Sequence, residues 1–214
     1  NRPFVKRVRE ERELTIMLLV DLSASGLFGS QAESKRELAA EMASTLAFAA
    51  TRNNDKVGLL IFTDRIETFI PPRKGRGHIL RVIREILFFR PEGRGTDLVD
   101  ALDHLNRMLK RRSVVFLLSD FLQGPDGRLP AVAQPRRDEL FRKIARTNRR
   151  HDLTAIVLAD ERERNLPAVG RIVLEDSETA ESIELDTANR RTRLEYGRLN
   201  REREQMLRRA FGTL

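Results

Sequence analysis

Five oxygen-bearing side chains, in three separate segments, are the residues of this sequence best suited to hold a cation. They are Asp21, Ser23 and Ser25 in DLSAS, Thr96 in GRGTD, and Asp120 at the end of SVVFLLSD. Side chains alternate in direction along an extended segment, so the Asp, Ser and Ser at every second position can point toward one place. Hydroxyl and carboxylate oxygens without His or Cys suit a hard cation. We therefore expect Mg²⁺ or Mn²⁺, with Ca²⁺ as a further candidate.

The sequence offers few groups for covalent or acid–base chemistry near these oxygens. It contains no cysteine, which excludes a disulfide framework, a thiolate metal site and a cysteine nucleophile. The three histidines, His78, His104 and His151, are far apart and are expected to be structural or exposed. No Walker lysine follows the segment EGRG, so a P-loop nucleotide site is not supported. We expect a binding module and not an enzyme.

Hydrophobic runs of strand length alternate with segments of helical periodicity. LTIMLLVD, DKVGLLIF, SVVFLLSD and LTAIVLAD are predicted to be buried strands, and IETFIPP, with two prolines, a short antiparallel edge strand. An alanine-rich helix of about five turns follows the first strand, and further helices carry Ile79 to Ile86, Leu98 to Leu109, and LFRKIARTNRRHD. Thr96 is also expected to cap the helix from Leu98, with Asp97 in its first turn.

This alternation predicts an α/β fold with a mainly parallel central sheet, one antiparallel edge strand and helices on both faces. Residues 1–160 would form the core of the domain. Residues 161–214 would be a C-terminal extension, a short hairpin followed by an Arg-rich helix, packed on the same domain. Ligands of such sheets bind outside the carboxyl ends of the strands, where the three polar segments are expected to lie.

The order D-x-S-x-S, then a distant Thr, then a distant Asp, resembles the metal ion-dependent adhesion site of von Willebrand factor A domains. The resemblance covers roughly residues 12–160. It implies that Ser23, Ser25 and Thr96 offer hydroxyls to the metal and that Asp21 and Asp120 act directly or through water. It also implies that an acidic residue of a protein partner completes the coordination shell.

A narrower resemblance extends over nearly the whole chain. REERELTIMLLVDLSAS, GRGTDL, LLSDF, RRHDL and LPAVGRIVLEDSETAE are similar to the bacterial domain-of-unknown-function fifty-eight family, which has A-type domains and is often encoded beside MoxR-type AAA+ ATPases. The resemblance implies an adaptor that works with such an ATPase in the cytoplasm. Family members often carry transmembrane helices ahead of this region, so a parent protein at the inner membrane is compatible with it. The chain begins at Asn1, and we expect it to be part of something longer.

Two other functions remain as alternatives. In a haloacid dehalogenase-like or receiver-like phosphoryl-transfer enzyme, Asp21 would be the nucleophile, but the former pattern requires a second Asp where Ser23 stands, and the latter requires paired acids before the nucleophile. In a nucleic-acid-binding protein, the C-terminal arginines would contact phosphates, since residues 190–209 contribute +5 to a net charge of +8. Arg and Glu interleave there, however, which is typical of an ion-paired, solvated helix. The chain also has one Tyr and no Trp for base stacking, so nucleic acid is not the expected partner.

Overall fold

The computed structural model describes residues 13–24, 34–121, 134–160, 165–175 and 182–212. The strands are β1 Thr15–Asp21, β2 Lys56–Phe62, β3 Ile66–Arg73, β4 Val114–Ser119, β5 Asp152–Val157, β6 Arg171–Glu175 and β7 Ser182–Asp186. The helices are α1 Lys35–Arg52, α2 Arg76–Phe88, α3 Leu98–Met108, α4 Gln134–Arg150 and α5 Arg190–Gly212.

The central sheet has five strands in the order β3-β2-β1-β4-β5. β1 lies at its centre and pairs in parallel with both β2 and β4. β5 extends the sheet in parallel beyond β4, while β3 pairs antiparallel with β2 and forms the opposite edge. The predicted mainly parallel sheet with one antiparallel edge strand is confirmed.

Two hydrophobic clusters cover the two faces of the sheet, so helices lie on both sides as predicted. Alternate residues of β1 divide between them: Ile16, Leu18 and Val20 face α1 and α2, whereas Met17 and Leu19 face α3, α4 and α5. Because both faces are covered, β1 is an uninterrupted apolar run, which is typical of a buried parallel strand.

The alanine face of α1 makes the close approach to the sheet. Its buried apolar residues are all alanines, Ala39, Ala40, Ala43, Ala47 and Ala50. The larger Leu38, Met42 and Leu46 are only partly buried beside the same cluster. Small side chains let the helix backbone come near the strands, as the sequence indicated.

The expectation that LTAIVLAD forms a buried strand is wrong. β5 alternates between exposed and half-buried residues, and Val157 at its end is 45% exposed. The physical reason is its position at the edge of the central sheet, where β4 is its only neighbour among the described strands.

The C-terminal part contains the expected hairpin and helix. β6 and β7 pair antiparallel as a separate two-stranded sheet, and α5 follows. Arg198 contacts Glu195 and Glu202, and Arg208 contacts Glu204, all on the exposed surface of α5. The interpretation of this segment as an ion-paired helix is confirmed. None of the helices in the described residues combines the length and the hydrophobicity that a membrane-spanning segment requires.

Candidate metal centre

Asp21 and Asp120 lie at the same edge of the sheet, at the carboxyl ends of two neighbouring strands. Asp21 is the last residue of β1, and Asp120 directly follows β4. The two side chains are almost inaccessible to solvent, with exposures of 6% and 4%. The parallel register, which pairs Val20 with Leu118, brings the strand ends level with each other. The sequence prediction that these two acids meet is therefore supported by the fold.

Hydrogen bonds to both carboxylate oxygens orient Asp21. Its Oδ1 accepts from the backbone N–H of Ser23 at 3.0 Å, and its Oδ2 accepts from the hydroxyl of Ser119 at 2.6 Å. The Ser119 oxygen in turn accepts from the backbone N–H of Phe121 at 2.9 Å. Ser119 thus connects the end of β1 to the turn that holds Asp120.

Burial, and secondly the negative charge of Asp120, raise the pKa of Asp21 from 3.8 to about 6. Hydrogen bonds from Ser119 and Ser23 act in the opposite direction because they stabilise the carboxylate. Burial and the neighbouring carboxylate outweigh these donors. The pair therefore has an excess of negative charge that a cation would relieve.

Asp120 has a cationic neighbour in Lys35, the first residue of α1. The Lys35 Nζ lies 2.6 Å from the Asp120 Oδ2, and the Lys35 side chain is as inaccessible as that of Asp120. The backbone carbonyl of Asp120 also accepts a long hydrogen bond from Arg203 of α5, at 3.4 Å. Phe121 then turns the chain with a left-handed φ of 54°, uncommon for a non-glycine residue. Its ring packs edge-on against Phe211 of α5 at 5.3 Å.

Ser23 is buried beside Asp21, whereas Ser25 lies outside the described residues. Thr96 is half-buried and lies in the loop between α2 and α3. Backbone hydrogen bonds hold this loop against the carboxyl ends of β1 and β2. Ala24 donates to the carbonyl of Arg94 at 2.9 Å, and Asp97 donates to the carbonyl of Thr63 at 2.8 Å.

Glu67 of β3 fastens the same loop. Its Oε1 accepts from the backbone N–H groups of Gly93 at 2.7 Å and Glu92 at 3.2 Å, and from the Thr63 hydroxyl at 2.8 Å. The Cα of Gly93 approaches this cluster closely, because a Cβ there would lie 2.1 Å from the Thr63 Oγ1. Glycine is therefore required at position 93 for the observed loop path.

The expectation that Thr96 caps α3 is wrong, as is the placing of Asp97 in the first turn. Asp97 is the N-cap, and its side chain accepts from the backbone N–H of Asp100 at 3.0 Å. An aspartate caps a helix start somewhat better than a threonine, and Thr96 lies one residue too early.

The side chains at this edge form a donor set that fits a hard divalent cation. Asp21, Ser23 and Asp120 supply oxygen donors within the described region, and Thr96 lies in the loop beside them. Carboxylates with hydroxyls leave room for waters and for one ligand from outside, as Mg²⁺ prefers. In the described part of the chain, no three His, Cys, Asp or Glu side chains gather in a way that could hold a metal ion. A cation at this edge would need oxygen donors other than these side chains, and Ser23 and Thr96 carry hydroxyls there.

Three residues that shape the centre were not assigned a role from the sequence. Ser119 lies within the recognised segment LLSD, and its place just before Asp120 is the signal that could have indicated it. Lys35 and Glu67 carried no such signal, because a charged residue at a helix start or in an edge strand is usually solvated. Their positions became apparent only from the fold.

Comparisons with known proteins agree with the narrower resemblance. Residues 1–206 match the family model described as "Protein of unknown function DUF58". The chain belongs to the DUF58 family. The Mycobacterium tuberculosis protein Rv1480 is 34% identical to this DUF58 chain over 179 residues, which are 83% of the chain and 52% of Rv1480. A Mycobacterium avium protein, MAV169, is 34% identical over 114 residues, 52% of this chain and 60% of that protein. The DUF58 chain thus spans about half the length of these relatives.

Two solved structures from Bacteroides share the fold. An aerotolerance-related membrane protein of Bacteroides fragilis superposes with a TM-score of 0.56 at 16% identity, over 87% of both chains. BatB of Bacteroides thetaiotaomicron superposes with the same TM-score at 13% identity, over 94% of this DUF58 chain and 98% of its own. At these identities the likeness concerns the fold alone.

Proposed function

We propose that this DUF58 domain is a protein-interaction module that binds a divalent cation at the carboxyl edge of its sheet. Asp21, Ser23, Ser25, Thr96 and Asp120 hold Mg²⁺ or Mn²⁺, with Ca²⁺ as a further candidate. An acidic side chain of a partner protein supplies the remaining ligand. The domain is a binding module and not an enzyme.

The observation that carries this proposal is the buried pair Asp21 and Asp120. Two carboxylates that are 6% and 4% exposed at adjacent strand ends repel each other, and burial together with this repulsion raises the pKa of Asp21. Buried carboxylates are stable where they are paired or bind a metal. A divalent cation between them neutralises the pair, and a further carboxylate from a partner then meets a positive centre.

The partner that we propose is a MoxR-type AAA+ ATPase. The support for it is the family resemblance, in which domains of this kind are often encoded beside such ATPases. In this arrangement the domain acts in the cytoplasm, at the inner membrane where the parent protein carries transmembrane segments.

Titration calorimetry of the metal-free chain with Mn²⁺ tests the cation site. We expect binding to the unaltered chain and its loss in Asp21→Asn and Asp120→Asn, since an amide is a neutral and weak metal ligand. Asp55→Asn is the matched control, because Asp55 is a carboxylate of the same 6% exposure at the opposite end of the sheet. Equal Mn²⁺ binding by all four chains would show that the assignment is wrong.

A pull-down of a purified MoxR-type ATPase tests the partner. Capture should require Mn²⁺ or Mg²⁺, disappear with EDTA and be absent for Asp21→Asn. Capture that persists in EDTA and in Asp21→Asn would show that the interaction does not need the metal. It would not affect the description of the fold.

The two alternatives give different results in the same preparations. A phosphoryl-transfer enzyme would hydrolyse small phosphomonoesters and lose this turnover in Asp21→Asn. Nucleic-acid binding through α5 would weaken steeply with salt and would be indifferent to EDTA. Turnover of the first kind or binding of the second kind would contradict the proposal of a cation-dependent protein-interaction module.

A further inference from the structure

We propose that the ammonium group of Lys35 is the resident cation of the metal-free centre, and that a divalent ion must displace it from Asp120 to bind. The inference rests on the proposed function and adds a means by which the centre regulates its own loading.

The contact between Lys35 and Asp120 is short and buried. The two charged atoms are 2.6 Å apart, and the side chains are 3% and 4% exposed. An ammonium taken out of water at this depth loses most of its hydration, and the Asp120 carboxylate offsets that cost. A lysine is rarely buried to this degree without such a partner.

Lys35 also lies at a position in its helix that is unfavourable for a positive charge. It is the first residue of α1, where the helix dipole is positive and disfavours a cation. Ser34 fixes this helix start through a capping box with Glu37, so the backbone of Lys35 has a set place. The charge of Lys35 is thus opposed by both burial and the dipole, and the Asp120 carboxylate counteracts both.

The same carboxylate cannot hold both cations at full strength. A metal at coordination distance from Asp120, about 2 Å, would face the ammonium across a few ångströms of low-dielectric interior, where like charges repel strongly. Lysine has a flexible four-carbon stem and can move its charge toward solvent. Metal binding therefore exchanges one cation for another.

This exchange sets the conditions under which the centre is loaded. In the metal-free centre the Lys35 ammonium neutralises one of the two carboxylate charges of Asp21 and Asp120. The remaining negative charge attracts a divalent ion, while the ion pair keeps the side chains in place. A divalent ion binds this centre less tightly than it would bind one without the ammonium, because it must first displace Lys35 from Asp120. A carboxylate from a partner that coordinates the metal makes metal binding more favourable, so the metal and the partner favour each other's binding.

The first experiment compares Lys35→Met with Lys56→Met in the full chain, with Mn²⁺ binding measured by electron paramagnetic resonance after chelator treatment. Both variants lose one positive charge, but Lys56 pairs with Glu13 at the surface and is 44% exposed. We expect the Mn²⁺ dissociation constant of Lys35→Met to fall by about tenfold, the equivalent of 1.4 kcal/mol. Lys56→Met should bind like the unaltered chain. Lys35→Gln provides the same comparison if the methionine variant does not fold.

A second measurement uses the unaltered chain and does not depend on a variant. Amine-modifying reagent followed by mass spectrometry should label Lys35 slowly in EDTA and several times faster in saturating Mn²⁺, while labelling of Lys56 stays constant. An increase confined to Lys35 supports displacement. Equal labelling of Lys35 in both conditions would overturn it.

The outcomes separate this inference from the function on which it rests. If the unaltered chain binds Mn²⁺ and Lys35→Met binds no more tightly, the displacement is wrong and the cation site stands. If neither chain binds Mn²⁺, both proposals fail. Weaker binding by Lys35→Met also overturns the inference, because it would make Lys35 a support of the site and not a competitor.

Discussion

Two aspartates of equal burial lie at opposite ends of the central sheet and have different surroundings. Asp55, just before β2, accepts a hydrogen bond from the backbone N–H of Leu14 at 2.9 Å and so fastens β2 to the start of β1. Asp21, at the other end of β1, lies near a second buried carboxylate, that of Asp120, which is paired with Lys35. Both aspartates are 6% exposed. Burial of a carboxylate therefore does not distinguish the two ends of the sheet, whereas a second carboxylate beside it does.

The largest expected effect concerns Asp120. Asp120→Asn removes one half of a buried ion pair and leaves the Lys35 ammonium without that carboxylate, which costs about 3–5 kcal/mol of unfolding free energy. Asp55→Asn keeps an amide oxygen that can accept from Leu14, so it should cost about 1 kcal/mol or less. Urea unfolding in EDTA measures both. Equal losses would mean that the two ends of the sheet do not differ in the way described.

The expected effect of Asp21→Asn has the opposite sign in the metal-free chain. Because the pKa of Asp21 is raised from 3.8 to about 6 in the folded state, its stabilising contribution is complete below pH 3.8 and declines as the pH rises toward 6. Above that window the charged Asp21 lowers the unfolding free energy by roughly 3 kcal/mol, at 1.36 kcal/mol for each pKa unit. The neutral variant should be more stable than the unaltered chain at pH 8, and the difference should vanish near pH 4.

Unfolding curves at several pH values, in EDTA, test this expectation. Asp55→Asn should not reproduce the gain at pH 8, since it does not relieve the repulsion between Asp21 and Asp120. A variant Asp21→Asn that is less stable than the unaltered chain throughout the range would show that the ionised Asp21 does not carry the cost of burial and repulsion that its raised pKa indicates.

A smaller effect is expected at the loop that carries Thr96. In Gly93→Ala the new Cβ would lie 2.1 Å from both the Thr63 Oγ1 and the Asp64 Oδ1, so the loop must move. We expect a loss of about 1–3 kcal/mol, as for other overpacked sites, and a several-fold weaker Mn²⁺ affinity. Gly77→Ala in α2 is the matched control, because its Cβ meets nothing within 4 Å. Unchanged Mn²⁺ affinity in Gly93→Ala would show that the loop carrying Thr96 does not contribute to Mn²⁺ binding.

The sequence was sufficient to predict the sheet, because its strands are apolar runs that end in polar residues and alternate with amphipathic helices. The same pattern indicated that Asp21 and Asp120 follow neighbouring strands. The edge position of β5 was missed, since an apolar run such as LTAIV is compatible with both a central and an edge strand. The predicted cap of α3, Thr96, lies one residue before the observed cap, Asp97. Both residue types can cap a helix, so the sequence alone does not distinguish them.

The contacts that tune the centre are long-range, and periodicity does not encode them. Lys35 and Asp120 are 85 positions apart, and Asp21 and Ser119 are 98 apart. Local patterns place each residue on its own element, but which side chains meet depends on the packing of α1 and on the strand order. The placement of Asp21 and Asp120 at neighbouring strand ends was thus predictable, whereas the ammonium neighbour of Asp120 was not.

The last prediction concerns His151, at the same end of the sheet as Asp55. It is 1% exposed, and neither of its ring nitrogens has a hydrogen-bond partner in the described part of the chain. Burial, with the nearby positive charges of Arg150 and Arg112, lowers the pKa of His151 below its usual 6.5. Folding therefore favours the neutral imidazole. As the pH falls through 6.5, His151 takes up a proton in the unfolded chain before it does so in the folded chain. Stability should decrease on acidification through that range, the reverse of the Asp21 contribution.

The two contributions overlap in mildly acidic solution, so His151 is best tested where position 21 no longer titrates. In an Asp21→Asn background, we expect unfolding free energy to fall as the pH is lowered, and His151→Phe to make that fall shallower by removing the titrating ring. His104→Phe is the control, because His104 makes an edge contact with Phe69 at a ring distance of 5.9 Å. If His104→Phe flattened the profile as much as His151→Phe, the acid sensitivity would not come from the buried ring. A profile altered only by His151→Phe would, together with the pH dependence of Asp21→Asn, show that the two ends of one sheet respond to pH in opposite directions.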